Sequence, residues 1–98
     1  NLTMKQMYHI CYGRNTKDGD YVTNQDWINY METVLDFAFD GYTVQDAGGV
    51  WKKEHERAKI VSVCTSHSDK VYDVMETYKK VYDQESVGLF ITPAMEFI

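Results

Sequence analysis

Apolar and polar positions first alternate between Lys5 and Tyr12, with Tyr8, Ile10 and Tyr12 on one parity and Met7, His9 and Cys11 on the other. That is the period of a strand. A polar loop punctuated by Gly13 and Gly19 runs to Asp20. Thr23 then opens a helix: its hydroxyl can accept from the Asp26 N–H while the Asp26 carboxylate reaches back, a variant of the capping box. Trp27, Met31, Val34, Leu35 and Ala38 fall on one helical face, and Asp40-Gly41 reads as the stop, with Gly41 in the left-handed cap conformation. Tyr42 to Asp46 is rich in β-branched and aromatic residues and reads as a strand. Ala47-Gly48-Gly49 reads as a turn, and Val50-Trp51 leads into the charged run Lys52 to Arg57. The clearest strand is Ala58 to Thr65, where Ile60, Val61, Val63 and Cys64 form a nearly continuous apolar run.

Ser66-His67-Ser68-Asp69 supplies cap residues for a second helix. Its apolar face carries Val71, Val74, Met75, Tyr78, Val81 and Tyr82, and Lys70, Asp73, Glu76, Lys79 and Lys80 cover the other side. Ser86 to Ile91 is the last strand, Pro93 stops it, and Met95 to Ile98 is an apolar tail. The order strand, helix, strand, strand, helix, strand predicts an α+β fold, the ferredoxin-like plait (βαββαβ), with two helices on one face of a four-stranded antiparallel sheet. The first and third strands are then central. Period-2 parity turns Tyr8, Ile10, Tyr12, Val61 and Val63 toward the helices, and His9, Cys11, Ser62 and Cys64 toward an open face.

Length and charge narrow the function. At 98 residues the chain makes one domain, with a core over about 5–92 and a tail at 93–98. Ten Lys and Arg against fifteen Asp and Glu give a net charge of −5, which argues against a nucleic-acid groove. Hydrophobic residues at 44% and aromatics at 14% argue against disorder, and no apolar run approaches the ~20 residues of a membrane span. Two cysteines do not make a disulfide framework and point to reduced thiols. No leader pattern precedes Met4, so a cytoplasmic setting is favoured, with an exported form left open. Asn1-Leu2-Thr3 has the form of an N-glycosylation acceptor, which carries little weight at a chain end.

Tyr12-Gly13-Arg14, Val22-Thr23 with Trp27, Asp40 to Val44, Asp46-Ala47-Gly48 with Trp51, Lys59-Ile60-Val61 and Gln84 to Val87 occur in an order and spacing that spans about Met7 to Leu89. In these the chain resembles a domain-of-unknown-function family of small, often exported bacterial proteins. The resemblance implies the same two-helix, four-strand plait and supplies no established reaction. The chain departs from the family in lacking a visible leader and in its charged segment after Trp51, a form that would suit a phage-encoded copy.

Candidate chemistry gathers in two places. Arg14 follows Gly13 at a strand end, where an Arg can take a phosphate or carboxylate bidentately, although a surface pair with Asp18 or Asp20 would use it equally well. Asp46, Trp51, Arg57 and Lys59 lie along the middle hairpin, where Trp51 could stack on a planar ligand or simply lid the sheet edge. Glu54 and Glu56 share a strand face, but no HExxH or cysteine pair accompanies them, so no metal site and no cofactor is expected. Nothing fixes a base beside Cys11, so no catalytic residue is assigned and the expectation leans away from an enzyme. The reading is a non-enzymatic domain that binds or sequesters a small polar or nucleotide-like, anionic ligand through Arg14, Asp46, Trp51, Arg57 and Lys59. The alternative is an interaction module, as a homo-oligomer or as an inhibitor of a host protein. Neither reading involves nucleic acid or a membrane.

Overall fold

The structure is a computed structural model that describes residues 4–98, so the Asn1-Leu2-Thr3 acceptor lies outside the described residues. Strand β1 spans Gln6–Gly13, β2 Thr43–Trp51, β3 Glu54–Thr65 and β4 Gly88–Pro93. They form one antiparallel sheet in the order β2-β3-β1-β4, with β1 and β3 at its centre. A first helix follows β1 and a second, Ser68–Val81, follows β3. The chain is therefore α+β, with four antiparallel strands and two helices.

The alternation expected of the central strands is present. Tyr8, Ile10, Tyr12, Val61 and Val63 are buried in one cluster with Trp27, Tyr30 and Leu35 of the first helix and Val71, Val74 and Tyr78 of the second. Residues of the other parity lie on the opposite sheet surface. There β1 places Met7, His9, Cys11 and Gly13 beside Ala58, Ile60, Ser62 and Cys64 of β3. Thr43, Gln45 and Ala47 of β2 and Gly88, Phe90 and Thr92 of β4 complete it. None of these is an Asp, Glu, Lys or Arg.

The first helix starts as its sequence dictates: Thr23 Oγ1 accepts from the Asp26 N–H at 3.0 Å, and the Asp26 carboxylate accepts from the Thr23 N–H at 3.0 Å. It is regular over Asn24–Tyr30, opens into a π turn at Met31–Leu35, and ends at Asp36–Ala38. The Asp36 N–H reaches the Met31 carbonyl, and Thr33 Oγ1 donates to the Asn29 carbonyl at 2.6 Å. A wide turn admits one extra residue. Tyr30 and Leu35, five apart, therefore both face the core, which strict α-periodicity does not place together. Phe39, in an extended conformation, ends the helix. Gly41 does not take the left-handed conformation; among the described glycines that conformation belongs to Gly19, with φ +88°.

Further expectations are corrected. Ala47-Gly48-Gly49 is not a turn but lies within β2, paired with Ala58, Arg57 and Glu56. The reversal falls at Lys52 and Lys53, both left-handed at φ 49° and 69°, because Val50 and Trp51 keep the strand going until they pair with His55 and Glu54. The last strand begins at Gly88 rather than Ser86 and ends on Pro93, which an edge strand tolerates because its N–H side can face solvent. His67 occupies the N-cap of the second helix without a side-chain cap bond, and Val81 is exposed instead of joining the apolar face.

Buried phenols tie the layers together. Tyr30 Oη donates to the Val74 carbonyl at 2.8 Å, so the Tyr12 hydroxyl, 2.7 Å away, donates to Tyr30. Tyr78 donates to the Gly13 carbonyl at 2.7 Å and Tyr82 to the Asp26 carbonyl at 3.1 Å. Tyr12 stands edge-on to Trp27, Tyr30 and Tyr78, with ring centres 5.2, 5.3 and 4.6 Å apart. Burial pushes the Tyr12, Tyr30 and Tyr78 hydroxyls above their ordinary value near 10. Tyr42 is pushed up to about 12 by burial and by its hydrogen bond to Asp36.

The phenols hold their protons more tightly in the folded chain than in the unfolded one. Their contribution is therefore full below about pH 10, where unfolded tyrosine begins to ionise, and is lost as pH rises toward the folded values. A melting series from pH 8 to 12 is expected to fall steeply at its alkaline end. Tyr30→Phe is expected to flatten that fall and, by orphaning the buried Tyr12 hydroxyl, to cost about 2 kcal/mol at neutral pH. Lys53→Gly removes a Cβ from a left-handed position and is expected to raise stability by about 1 kcal/mol in denaturant titrations.

Candidate functional site

Strands β2 and β3 outrun the rest of the sheet. The pairing of β1 with β3 ends at Gly13 and Ala58, while β2 and β3 continue through Gly48 with Arg57, Gly49 with Glu56, Val50 with His55 and Trp51 with Glu54. The result is a two-stranded arm whose alternate side chains point to opposite sides. Trp51, Glu54 and Glu56 stand on the side of the open sheet face. Arg57, Lys59 and Asp46 stand on the helix side.

Of the five residues singled out in the sequence, Arg14, Asp46, Arg57 and Lys59 lie near one another on the helix side, and Trp51 stands apart from them. Arg14 is 7% exposed. Its Nε donates to the Val22 carbonyl and an Nη to Asn24 Oδ1, both at 2.9 Å, and its own carbonyl accepts from the Val22 N–H at 2.7 Å. The guanidinium clamps the entry of the first helix onto the end of β1. Lys59, with its side chain 16% exposed, forms an ion pair with Asp46 and sits 6.0 Å from the centre of the Trp27 ring. It closes the core edge over Trp27. The Lys59 ammonium holds the Asp46 carboxyl below its usual range, with Arg14 and Arg57 adding to the effect. Arg57 projects from the arm on this helix side, near Gly48, Val50 and His55. Trp51 alone turns to the open face, where it is 72% exposed.

On that face, at the base of the arm, lies a cleft of about 530 Å³. Its floor is Cys11, Gly13, Ala58 and Gly88, small residues that leave room above the sheet. Trp51, Glu54 and Glu56 form one wall; the loop after β1, Asn15 to Lys17, and the segment Gln84 to Ser86 form the others. Glu56 is held in place: its Oε2 accepts from the Asn15 N–H at 2.9 Å, and the carboxylate lies where a Cβ on Gly13 would stand, 2.6 Å from its ideal position. Gln84 is buried and donates to the Asn15 carbonyl at 2.9 Å. The Lys17 ammonium is 3.4 Å from the Asp83 carboxylate, so the cation of this cleft is already paired. The lining therefore leans negative, through Glu54, Glu56 and Glu85.

A family model described as a protein of unknown function (DUF3574) matches residues 7–97. The chain belongs to this family. The DUF3574 match takes in the four strands, both helices and part of the tail, and with them every wall of the cleft. No curated protein and no solved structure matches the chain.

A second polar feature occupies the middle of the open face. His9 Nδ1 lies 2.8 Å from Ser62 Oγ and Nε2 lies 2.8 Å from Thr92 Oγ1, while the ring stacks on Phe90 at 4.5 Å between centres. A neutral imidazole donates from one nitrogen and accepts at the other, and hydroxyls answer either role. The ring is locked between the two strands that flank its own, β3 and β4. Cys11 pairs opposite Ile60 and Cys64 opposite Met7, four residues further along β3, too far apart for a disulfide. Burial raises the Cys11 thiol above its ordinary value, which disfavours a reactive thiolate. Among the described residues no group of three or more His, Cys, Asp and Glu is placed to hold a metal, and no helix is long and apolar enough to cross a membrane.

Reasoning from the sequence missed Lys17, Gln84, Glu85 and Ser86 as neighbours of Trp51. The alternation of Glu54 and Glu56 was the one local sign that both share the Trp51 side. Nothing local brings Gln84 to Ser86 there; the pairing of β4 with β1 does.

Arg14→Ala is expected to destabilise the ligand-free protein by about 2–3 kcal/mol, because it strands the Val22 carbonyl, and Arg14→Lys is expected to restore little of the loss. A ligand-free Arg14→Ala protein that melts like wild type would remove the structural role given to this residue.

Proposed function

We propose that the chain is a ferredoxin-like plait that works as a non-catalytic binding domain, holding a small polar ligand in the cleft at the base of the β2–β3 arm. The observation that carries this reading is the cleft itself, about 530 Å³ of small-molecule size. Glycines and alanine open its floor, an exposed indole forms one wall, and polar groups surround it. Its charge refines the ligand class. Arg57 and Lys59 project from the other side of the arm and Arg14 is spent inside the fold, while Glu54, Glu56 and Glu85 face the cleft. The ligand that suits these walls carries an ammonium or guanidinium group and a flat or aliphatic body able to lie on Trp51, through carboxylate contacts and a cation–π contact. An anionic nucleotide suits them less well.

The test is a thermal-shift panel of amines, guanidines, quaternary ammonium compounds and nucleotides, paired with native mass spectrometry of protein purified from cells. A ligand at one hundred times its dissociation constant stabilises the native state by about 2.7 kcal/mol, and a shift of several degrees is expected from a cationic member. Trp51→Ala and Glu56→Gln are expected to abolish it while leaving the ligand-free melting point in place. A flat response across the panel together with a bare mass spectrum overturns the reading.

A further inference from the structure

The open sheet face is uncharged from Ala58 to Cys64 on β3 and along β1 and β4, in a chain of which 26% is Asp, Glu, Lys and Arg. Across it lie Cys11, Ile60, Cys64 and Phe90, beside Met7, which the chain itself already buries, with His9, Ser62 and Thr92 satisfied among themselves. Depletion of charge at the centre with polar groups already paired marks a surface built to be covered. We infer that a second copy of this chain covers it, sheet against sheet about a two-fold axis lying in the interface and perpendicular to the strands. This goes beyond the ligand reading and does not depend on it.

Charge and size argue for a second copy and for that axis. The carboxylates on this side, Glu54, Glu56 and Glu85, are gathered at the arm end of the face. An axis parallel to the strands would lay one acidic end on the other. The perpendicular axis lays the acidic end of each copy, and its Trp51, over the opposite end of the partner. That is the end at Gln6 and Pro93, from which the exposed side chains of Met95, Phe97 and Ile98 emerge. The same rotation brings Trp51 toward this largely apolar tail and keeps Glu54, Glu56 and Glu85 of one copy away from those of the other. Four strands at about 4.8 Å spacing and eight residues at about 3.3 Å give a face of roughly 500 Å² in projection. The arm and the tail extend that face beyond the sheet, toward the roughly 800 Å² per partner that a specific dimer buries. The cleft opens on this face at the arm end, so each copy roofs the cleft of the other.

Sedimentation equilibrium on the purified chain tests the contact. A dimer is expected, with Ile60→Glu and Phe90→Glu each weakening it by at least a hundredfold while the fold, read by circular dichroism, persists. Val81→Glu, exposed on the second helix, is expected to leave the association unchanged. A wild-type monomer at tens of micromolar, or a dimer that survives both face substitutions, overturns the inference. The axis is tested by a spin label at Lys53→Cys in a Cys11→Ser, Cys64→Ser background. The two arm tips are expected at or beyond the 41 Å length of one molecule, and a short distance between labels overturns the orientation. Repeating the cation panel on monomeric Ile60→Glu separates the two readings: a ligand response there supports the cleft alone, and its absence beside a dimeric, unresponsive wild type removes the cleft and leaves the interface.

Discussion

A buried hydroxyl must find a partner, and three elements of this protein meet where that requirement is satisfied. Tyr12 from the sheet, Tyr30 from the first helix and the Val74 carbonyl from the second form one continuous chain of hydrogen bonds. Tyr78 closes back onto the Gly13 carbonyl at the end of β1. Apolar burial supplies the driving force, but it tolerates sliding; hydrogen bonds between phenols in a dry interior do not, because a shift of an ångström leaves a donor or acceptor stranded. The helices are held at one height over the sheet, and the end of β1, from which the cleft is built, is held with them.

The π turn belongs to the same constraint. A regular helix carrying Tyr30 inward would swing Leu35, five residues on, away from the core. The extra residue in the turn restores it and lets Tyr30 reach Val74 at the same time. The polar loop after β1 is fixed from three directions, through Arg14, Gln84 and Glu56, none of which leaves the molecule. Fixing that loop is what turns a flat sheet end into a cleft.

Much of this was legible in the amino-acid order. Tyr8, Ile10 and Tyr12 against His9 and Cys11, and Val61 and Val63 against Ser62 and Cys64, announce the two faces of the sheet by alternation alone. The Thr23–Asp26 cap and the Val71, Val74, Tyr78 stripe announce the helices. Features that depend on contacts distant in the chain were not legible. Gly48-Gly49 carries the local signal of a turn, yet the ladder with Arg57 and Glu56 continues through it and forces Lys52 and Lys53 into backbone conformations lysine does not prefer. Arg14 looks like a ligand-seeking cation until Val22 and Asn24 are seen to surround it. Arg57 and Lys59 lie on one side of a two-stranded ribbon and the Trp51 indole on the other, with Lys52 of the turn over that indole, because alternation separates neighbours as surely as it groups them.

Glycine at position 13 has a consequence beyond local space. The carboxylate of Glu56 occupies the place of the missing side chain and from there holds the Asn15 N–H. The end of a flexible glutamate yields cheaply, so a single methyl at position 13 would leave the fold standing and move a negative charge out of its seat. A change of one carbon on a central strand thus acts as an electrostatic dial for the cleft, and it gives this scaffold a route to a ligand of different charge without replacing any charged side chain of its walls.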